Sequence, residues 1–357
     1  MAATWNAEDE SDLDRLPFPT VGVPMTKLAA VMRAAFAVFS GRPLQQGYVN
    51  SRASRVAVRR AVAELEPDLI YFNTLRSGQW RKVVRDTPAR MAIDLDEFRS
   101  AYYQQASEVS TILKRLVMKM EARRMRAEEA KIVAEFEAVI ISSPADLRPE
   151  HSNVHLVRSP HALKTAHRPV PLADRPTIVF VGRMSYAANV EAVTRFCRDV
   201  LPAVRQQVPE VQLEVVGDAP TKAIRSLADG HVRVHGRVDS VDEHYLSAWL
   251  SIVPVTTATG VQMKLIESLE LGVPTVASPL VASLAGARAG VDVAVADTAD
   301  EWIEEVVRLL ESPMERQELG RSGKAWARQN YSVDSITRAL GAALLEPRSA
   351  AQHTAAE

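Results

Sequence analysis

The sequence predicts an α/β protein of two domains, each built on a parallel sheet covered by helices. Three observations carry that expectation. Short apolar runs, ended by polar residues or glycine, alternate with helical stretches, as buried parallel strands and their crossover helices do. A proline-rich, weakly apolar segment at Lys164 to Pro176 interrupts the alternation once. The chain has 357 residues, and domains run to about 100–200 residues each.

The elements follow in order. An acidic, polar start gives way to a short extended piece at Phe18 to Val23, bounded by Pro17, Pro19 and Pro24. Met25 to Phe39 has helical periodicity, and Ser40-Gly41-Arg42-Pro43 stops it. Arg52 to Glu66 is a second helix, closed by Pro67. Strands are expected at Asp68 to Asn73, Arg90 to Asp94, Ala138 to Ser142 and Val154 to Val157, with one long helix from about Tyr103 to Glu137. After the proline-rich segment the pattern restarts more sharply. Strands are expected at Thr177 to Val181, Gln212 to Val216, Val232 to His235, Ser251 to Val255 and Pro274 to Ala277. Helices are expected at Val190 to Val208, Thr221 to Ala228, Tyr245 to Leu250, Lys264 to Leu271, Trp302 to Leu310 and Met314 to Asn330. The implied division is 1–165, 176–332, and a C-terminal helix with a disordered tail over 333–357.

Composition narrows the partners. Lys and Arg number 43 against 44 Asp and Glu, a net charge of −1, which gives no global drive toward nucleic acid. Cys197 is the only cysteine; it cannot form an internal disulfide or a cysteine-based zinc site, which fits the cytoplasm. It reads as a small buried residue on a helix. No apolar run reaches the roughly 20 residues a bilayer span needs, and no secretory signal is visible in the acidic start.

The chemistry concentrates in the second half. Three strands end in Gly182, Gly217 and Gly236. Open α/β sheets bind ligands beyond the carboxyl ends of their strands, and glycine there lets the backbone approach a ligand, although strand-to-helix turns also use it for steric reasons. The strongest signal is Gly260-Val261-Gln262-Met263-Lys264-Leu265-Ile266-Glu267. A glycine turn opens a helix whose first amides lack intrahelical partners and carry partial positive charge, which suits phosphate. Lys264 in the first turn is unfavourable for the helix dipole, and a bound anion would account for it. Glu267 is on the same face, three residues on. A solvated Lys–Glu pair is the alternative.

The order Phe180-Val-Gly182-Arg183-Met184, Gly217, Gly236, Gly260-Val-Gln262-Met-Lys264-Leu-Ile-Glu267 and Gly272-Val-Pro274-Thr-Val276 resembles the donor-binding half of the group 1 glycosyltransferase family. The first half is similar to the acceptor half of a bacterial branch of that family, through Gly41-Arg-Pro-Leu44, Asp68-Leu-Ile-Tyr71, Asp94-Leu-Asp96-Glu97 with Ser100 and Tyr103, and Ala138-Val-Ile-Ile-Ser-Ser143. The resemblance implies the GT-B fold, two Rossmann-like α/β domains facing across a cleft. It implies a nucleoside diphosphate sugar as donor, an unidentified glycan, lipid-linked or small-molecule acceptor, retention at the anomeric carbon, and no metal or other cofactor. Arg183 and Lys264 would contact the diphosphate, with amides near Gly260, Val261 and Gln262 adding to the grip. Glu267, matching the second acid of the family's Glu-x7-Glu motif, would hold the ribose. Gly236, Arg237 and Val238 would lie near the base. Asp94, Glu97 and Arg99 are candidate cleft residues. His161 is the first choice for a catalytic-region histidine, ahead of His151, His155 and His167.

The sequence departs from the family pattern at several points. Thr259 replaces the first acid of Glu-x7-Glu, Ala188 and Asn189 stand where a second basic residue usually follows Gly-Arg, and Arg158-Ser-Pro-His161 replaces an Asn-Gly turn. The N-terminal domain is expected to lack its first strand and Gly-Gly loop. These departures keep open a catalytically inactive partner subunit, and a nucleotide-sugar epimerase is a third reading. The run Lys114, Arg115, Lys119, Arg123, Arg124 and Arg126 is expected either to meet anionic lipid at the inner membrane face or to pair in solvent with Glu121, Glu128 and Glu129.

Overall fold

The structure, a computed structural model, describes residues 2–4, 17, 19–39, 41–108, 111–148, 150–159, 170–258 and 260–345. By backbone contacts these divide into two units, the first drawn from Met1–Ile141, Asp146–Leu156 and Gly341–Glu357, the second from Ser142–Ala145 and Val157–Leu340. The C-terminal helix therefore contributes to both.

In the first unit, β1 (Ala2–Thr4) pairs in parallel with β2 (Gly22–Pro24). These two three-residue strands pair only with each other, outside the four-stranded sheet, which begins at the strand after α3. Helix α1 (Lys27–Phe39) packs on α2 (Leu44–Val49) at Gly47, where a Cβ would lie 2.7 Å from the Arg33 carbonyl oxygen. α3 (Arg52–Leu65) starts at Ser51, whose hydroxyl accepts from the Ser54 amide, and stops at Glu66 in the left-handed conformation. Then come β3 (Leu69–Asn73), α4 (Thr74–Gly78), β4 (Arg90–Asp96), α5 (Arg99–Glu108), α6 (Ile112–Glu135), β5 (Ala138–Ile141) and β6 (Val154–Leu156). The sheet is all parallel in the order β3-β4-β5-β6. Phe72, Ile93, Met125, Ile132 and Val139 fill its core.

The single helix expected from Tyr103 to Glu137 is two, α5 and α6. At the end of α5 the Ser107 hydroxyl donates to the Gln104 carbonyl, the local bond by which hydroxyl side chains compete with a helix backbone. α6 buries Glu121, Ala122, Met125, Glu128, Glu129 and Ile132. The three glutamates are therefore held mainly by partners off the helix, with Arg124 near Glu121 and Arg126 near Glu129. Glu121 accepts from the Leu44 amide at 2.7 Å, Glu129 from the Ser100 amide at 2.9 Å, and Glu128 from Arg81 at 2.9 Å. Glu128 also approaches Lys131, at 3.9 Å.

The second unit holds β7 (Thr177–Val181), α7 (Ala187–Asp199), α8 (Leu201–Gln207), β8 (Gln212–Val216), α9 (Lys222–Arg225), β9 (Val232–Gly236), α10 (Asp242–Ser247), β10 (Leu250–Val253), α11 (Met263–Leu271), β11 (Thr275–Ala277), α12 (Pro279–Ala285), β12 (Ala294–Val295), α13 (Ala299–Glu311) and α14 (Pro313–Tyr331); α15 (Val333–Leu345) runs into the first unit. Its parallel sheet has the order β12-β11-β10-β7-β8-β9, the doubly wound arrangement in which the strand sequence reverses between β7 and β10. The helix expected at Val190 to Val208 is split because Pro202 has no N–H to continue it. The helix expected at Tyr245 to Leu250 begins earlier, at Asp242, and Leu250 is already strand. α12 and β12 had no sequence expectation; Ser278 caps α12, Pro279 opens it and Gly286, at φ 75°, closes it. Ile178, Phe180, Leu213, Val215 and Ile252 form one face of the core with Phe196 and Trp302. Cys197 is partly buried on α7 against this core, and burial pushes its thiol up to about 12. The described end of the proline-rich segment is tied to this unit: Trp249 Nε1 donates to the Ala173 carbonyl at 2.9 Å.

Candidate functional site

The site of the second unit is assembled where the sheet reverses. Three strand ends are laced together by backbone bonds. The Gly182 amide donates to the Val216 carbonyl at 3.0 Å, Met184 to Asp218 at 2.8 Å and Gly217 to Gly236 at 2.9 Å. Gly217 is irreplaceable in this geometry. Its φ is +145°, and a Cβ there would sit 1.8 Å from the Gly182 carbonyl oxygen. Gly182 is hardly less constrained, with a Cβ position 2.8 Å from Asn189 Nδ2 and 3.2 Å from Lys264 Cε.

Facing these turns is the N-terminus of α11. It follows β10 through Pro254 to Gln262, and its first amides point out of the helix. Lys264 lies in the first turn, with Nζ donating to Gln262 Oε1 at 2.8 Å. Burial lowers its pKa to about 8, against the pull of Glu267. Gly182, Arg183, Gly217, Asp218, Lys264 and Glu267 line one cavity of about 370 Å³. Lys264 and Glu267, expected on one face of this helix, both line that cavity. Gly236, Arg237, Val238, Gly260, Val261 and Gln262 do not line this cavity. Gly236 is joined to it through Gly217, and the Gly260 carbonyl accepts from Gln262 Nε2 at 3.2 Å. Thr259 is outside the described residues.

Two contributors escaped the sequence reading. Tyr245 on α10 is fully buried; its hydroxyl lies 3.1 Å from the Lys264 carbonyl and is also hydrogen-bonded with Glu267. Burial and the Glu267 charge drive the phenol well above its ordinary pKa. Tyr245 therefore fixes both the first turn of α11 and the carboxylate. Asn189, noted as a departure, is buried with Nδ2 donating to the Arg183 carbonyl at 2.9 Å. It braces the Gly182–Arg183 turn where a cation was expected. Neither role has a local sequence signal, since both depend on packing between distant elements.

In the first unit, Asp94 and Glu97 lie at the carboxyl end of β4. Asp94 accepts from the Tyr71 hydroxyl and from the Asp96 amide, both at 2.9 Å; Asp96 is left-handed at φ 65°. Glu97 is buried, 3.7 Å from Arg99. Asp146, unforeseen, joins them: burial raises its carboxyl to about 6, with Glu97 adding to the rise and the Phe98 amide opposing it. His161 and His167 are outside the described residues; His155 lies on β6 and His151 just before it. A larger cavity of about 720 Å³ is lined by Pro67, Asp68, Pro88 and Ala89 at the amino ends of β3 and β4, the end of a parallel sheet that does not carry ligand sites.

The fold, two units each built on a parallel sheet, is that of the GT-B glycosyltransferases. Residues 175–312 match the sequence model of the family described as Glycosyl transferases group 1. No curated protein matches the chain. Among solved structures, HepE of Anabaena in complex with UDP aligns with a TM-score of 0.66 at 14% identity, over 93% of this chain and 87% of that one. Sucrose-phosphate synthase from Thermosynechococcus elongatus aligns with a TM-score of 0.59 at 19% identity, over 81% and 76%. A glycosyltransferase from Rickettsia africae aligns with a TM-score of 0.57 at 8% identity, over 92% and 85%. At these identities the likeness is one of fold.

Proposed function

We propose that this chain transfers a hexosyl group from a nucleoside diphosphate sugar to a glycan, lipid-linked or small-molecule acceptor in the cytoplasm, with retention at the anomeric carbon and no metal in the chemical step. The observation that carries the reading is the convergence of Lys264, Arg183 and the α11 N-terminus on the cavity that also holds Glu267. Fixed cations and helix amides stabilise the charge that develops on a departing diphosphate, and Glu267, braced by Tyr245, accepts hydrogen bonds from ribose hydroxyls. Gly236, Arg237 and Val238 face the base. Asp94, Glu97 and His161 serve the acceptor side. Uridine diphosphate is the first nucleotide to test, because HepE has been solved with UDP and with UDP-glucose.

The test incubates the full chain with UDP-glucose and lipid or glycan acceptor extracts, and follows UDP release and sugar-bearing product by mass spectrometry. UDP release matched by a new glycoside supports the proposal. Tight UDP binding with no transfer to any acceptor would replace it with the inactive-subunit reading.

We further propose that the first unit touches anionic membrane. Exposed Leu28, Val31, Met32 and Phe36 on α1, and exposed Ile112, Leu113, Leu116 and Val117 on α6, accompany Lys114, Arg115 and Lys119, and interfacial helices combine apolar and basic side chains in this way. Among the described residues no helix is long and apolar enough to cross a membrane. Sedimentation with phosphatidylglycerol vesicles, lost in K114E/K119E, is the expected result; equal sedimentation of the double variant would contradict it.

A further inference from the structure

Glu214, His235 and His244 form a cluster that the donor site does not use. Glu214 lies on β8, His235 at the end of β9 and His244 on α10. Glu214 Oε2 is 2.8 Å from His244 Nδ1 and 3.6 Å from His235 Nε2. One ligand atom from each of the three lies within 4.8 Å of the others. The two imidazole rings stand 4.6 Å apart between centroids.

The local backbone explains why His235 is aimed at the group. Val215 pairs with Val234, yet Val216 pairs with Gly236, so His235 is the extra residue of a bulge. Glu214 pairs with Arg233, so alternation along β9 already places His235, two residues on, on the face of the sheet that carries Glu214. Glu214 is the one residue of β8 that is not fully buried, and α10 brings His244 onto it. The side chains of all three remain partly open to solvent, which leaves an approach for an ion.

We propose that Glu214, His235 and His244 bind a divalent transition metal of the zinc class. Two imidazole nitrogens and one carboxylate oxygen are the donor set of a three-ligand zinc site, with a fourth position for water. Tetrahedral zinc with bonds of roughly 2.1 Å to such atoms separates its ligands by about 3.4 Å, and the observed 2.8 and 3.6 Å bracket that spacing. Nitrogen ligands favour zinc, cobalt and nickel over magnesium and calcium. The metal would tie β8 and β9 to α10, the helix that also carries Tyr245. Its role is structural, separate from the metal-free chemistry proposed for the donor cavity.

The experiment uses tag-free full-length protein, stripped with EDTA and desalted. Zn²⁺ is titrated by calorimetry, and Co²⁺ by visible absorption, with Mg²⁺ as the control. One equivalent of Zn²⁺ binds, Co²⁺ gives the intense d–d bands of a four-coordinate site, and Zn²⁺ raises the Tm. His235→Gln, His244→Gln and Glu214→Gln each weaken Zn²⁺ binding by at least ~10-fold while circular dichroism shows them folded. Absence of stoichiometric Zn²⁺ uptake by the folded wild type overturns the proposal. So does undiminished uptake by the three folded variants.

Discussion

Lys264→Met removes the charge of the α11 first turn and keeps the length and apolar body of the side chain. In the wild type, burial holds the Lys264 ammonium down to about 8, so about nine-tenths of the molecules carry the charge at pH 7. A hydrogen bond from a charged group to a diphosphate oxygen contributes about 1.5–3 kcal/mol, which is about 10- to 150-fold in Kd. The pH dependence has a definite sign. A bound diphosphate favours the protonated lysine, so affinity is full below about 8 and declines as the free site loses its proton above it. Between pH 7 and pH 9 the wild-type Kd for UDP should rise by about 10-fold, while that of Lys264→Met should stay flat over the same range. Isothermal titration calorimetry at several pH values reads both effects. A variant Kd within twofold of the wild type, or a flat wild-type profile, would refute the argument that this lysine faces the diphosphate.

Tyr245→Phe should keep the fold and weaken UDP binding by about 5-fold, the value of one hydrogen bond of about 1 kcal/mol; calorimetry checks it, and an unchanged Kd would show that Glu267 needs no brace. Arg81→Met tests the first unit. Arg81 is 1% exposed and joins Glu128 at 2.9 Å to Glu135 at 2.7 Å. Removing it leaves Glu128 buried without its main cation, and urea unfolding should show a loss of about 3–5 kcal/mol.

The parts of this molecule that local pattern controls were legible in the sequence. The fully buried strands Thr177–Val181 and Ala138–Ile141 announce themselves as apolar runs. Gly182 and Gly217 at their strand ends, with Lys264 and Glu267 on α11, do line one cavity, because helix periodicity fixes which side chains share a face. What escaped depends on tertiary contacts. Tyr245 reaches Lys264 across 19 residues of sequence, and Asn189 looked like a loss because a brace on the Arg183 carbonyl has no motif. Glu121, Glu128 and Glu129 looked like solvent-facing partners for neighbouring arginines; only the packing of α6 shows them capping and pairing groups from elsewhere in their unit. The cluster at Glu214, His235 and His244 was invisible for the same reason, since it needs β8 and β9 paired in register and α10 packed beside them.

The most direct test of the central claim is a thermal-shift titration with UDP, GDP, ADP and dTDP on wild type and Glu267→Ala. A ligand present at about 100 times its Kd stabilises by roughly 2.7 kcal/mol, a rise of several degrees at about 2–4 °C per kcal/mol. The account predicts such a rise with one nucleotide, strongly reduced in Glu267→Ala. No rise with any of the four would contradict a nucleoside diphosphate site at the α11 N-terminus.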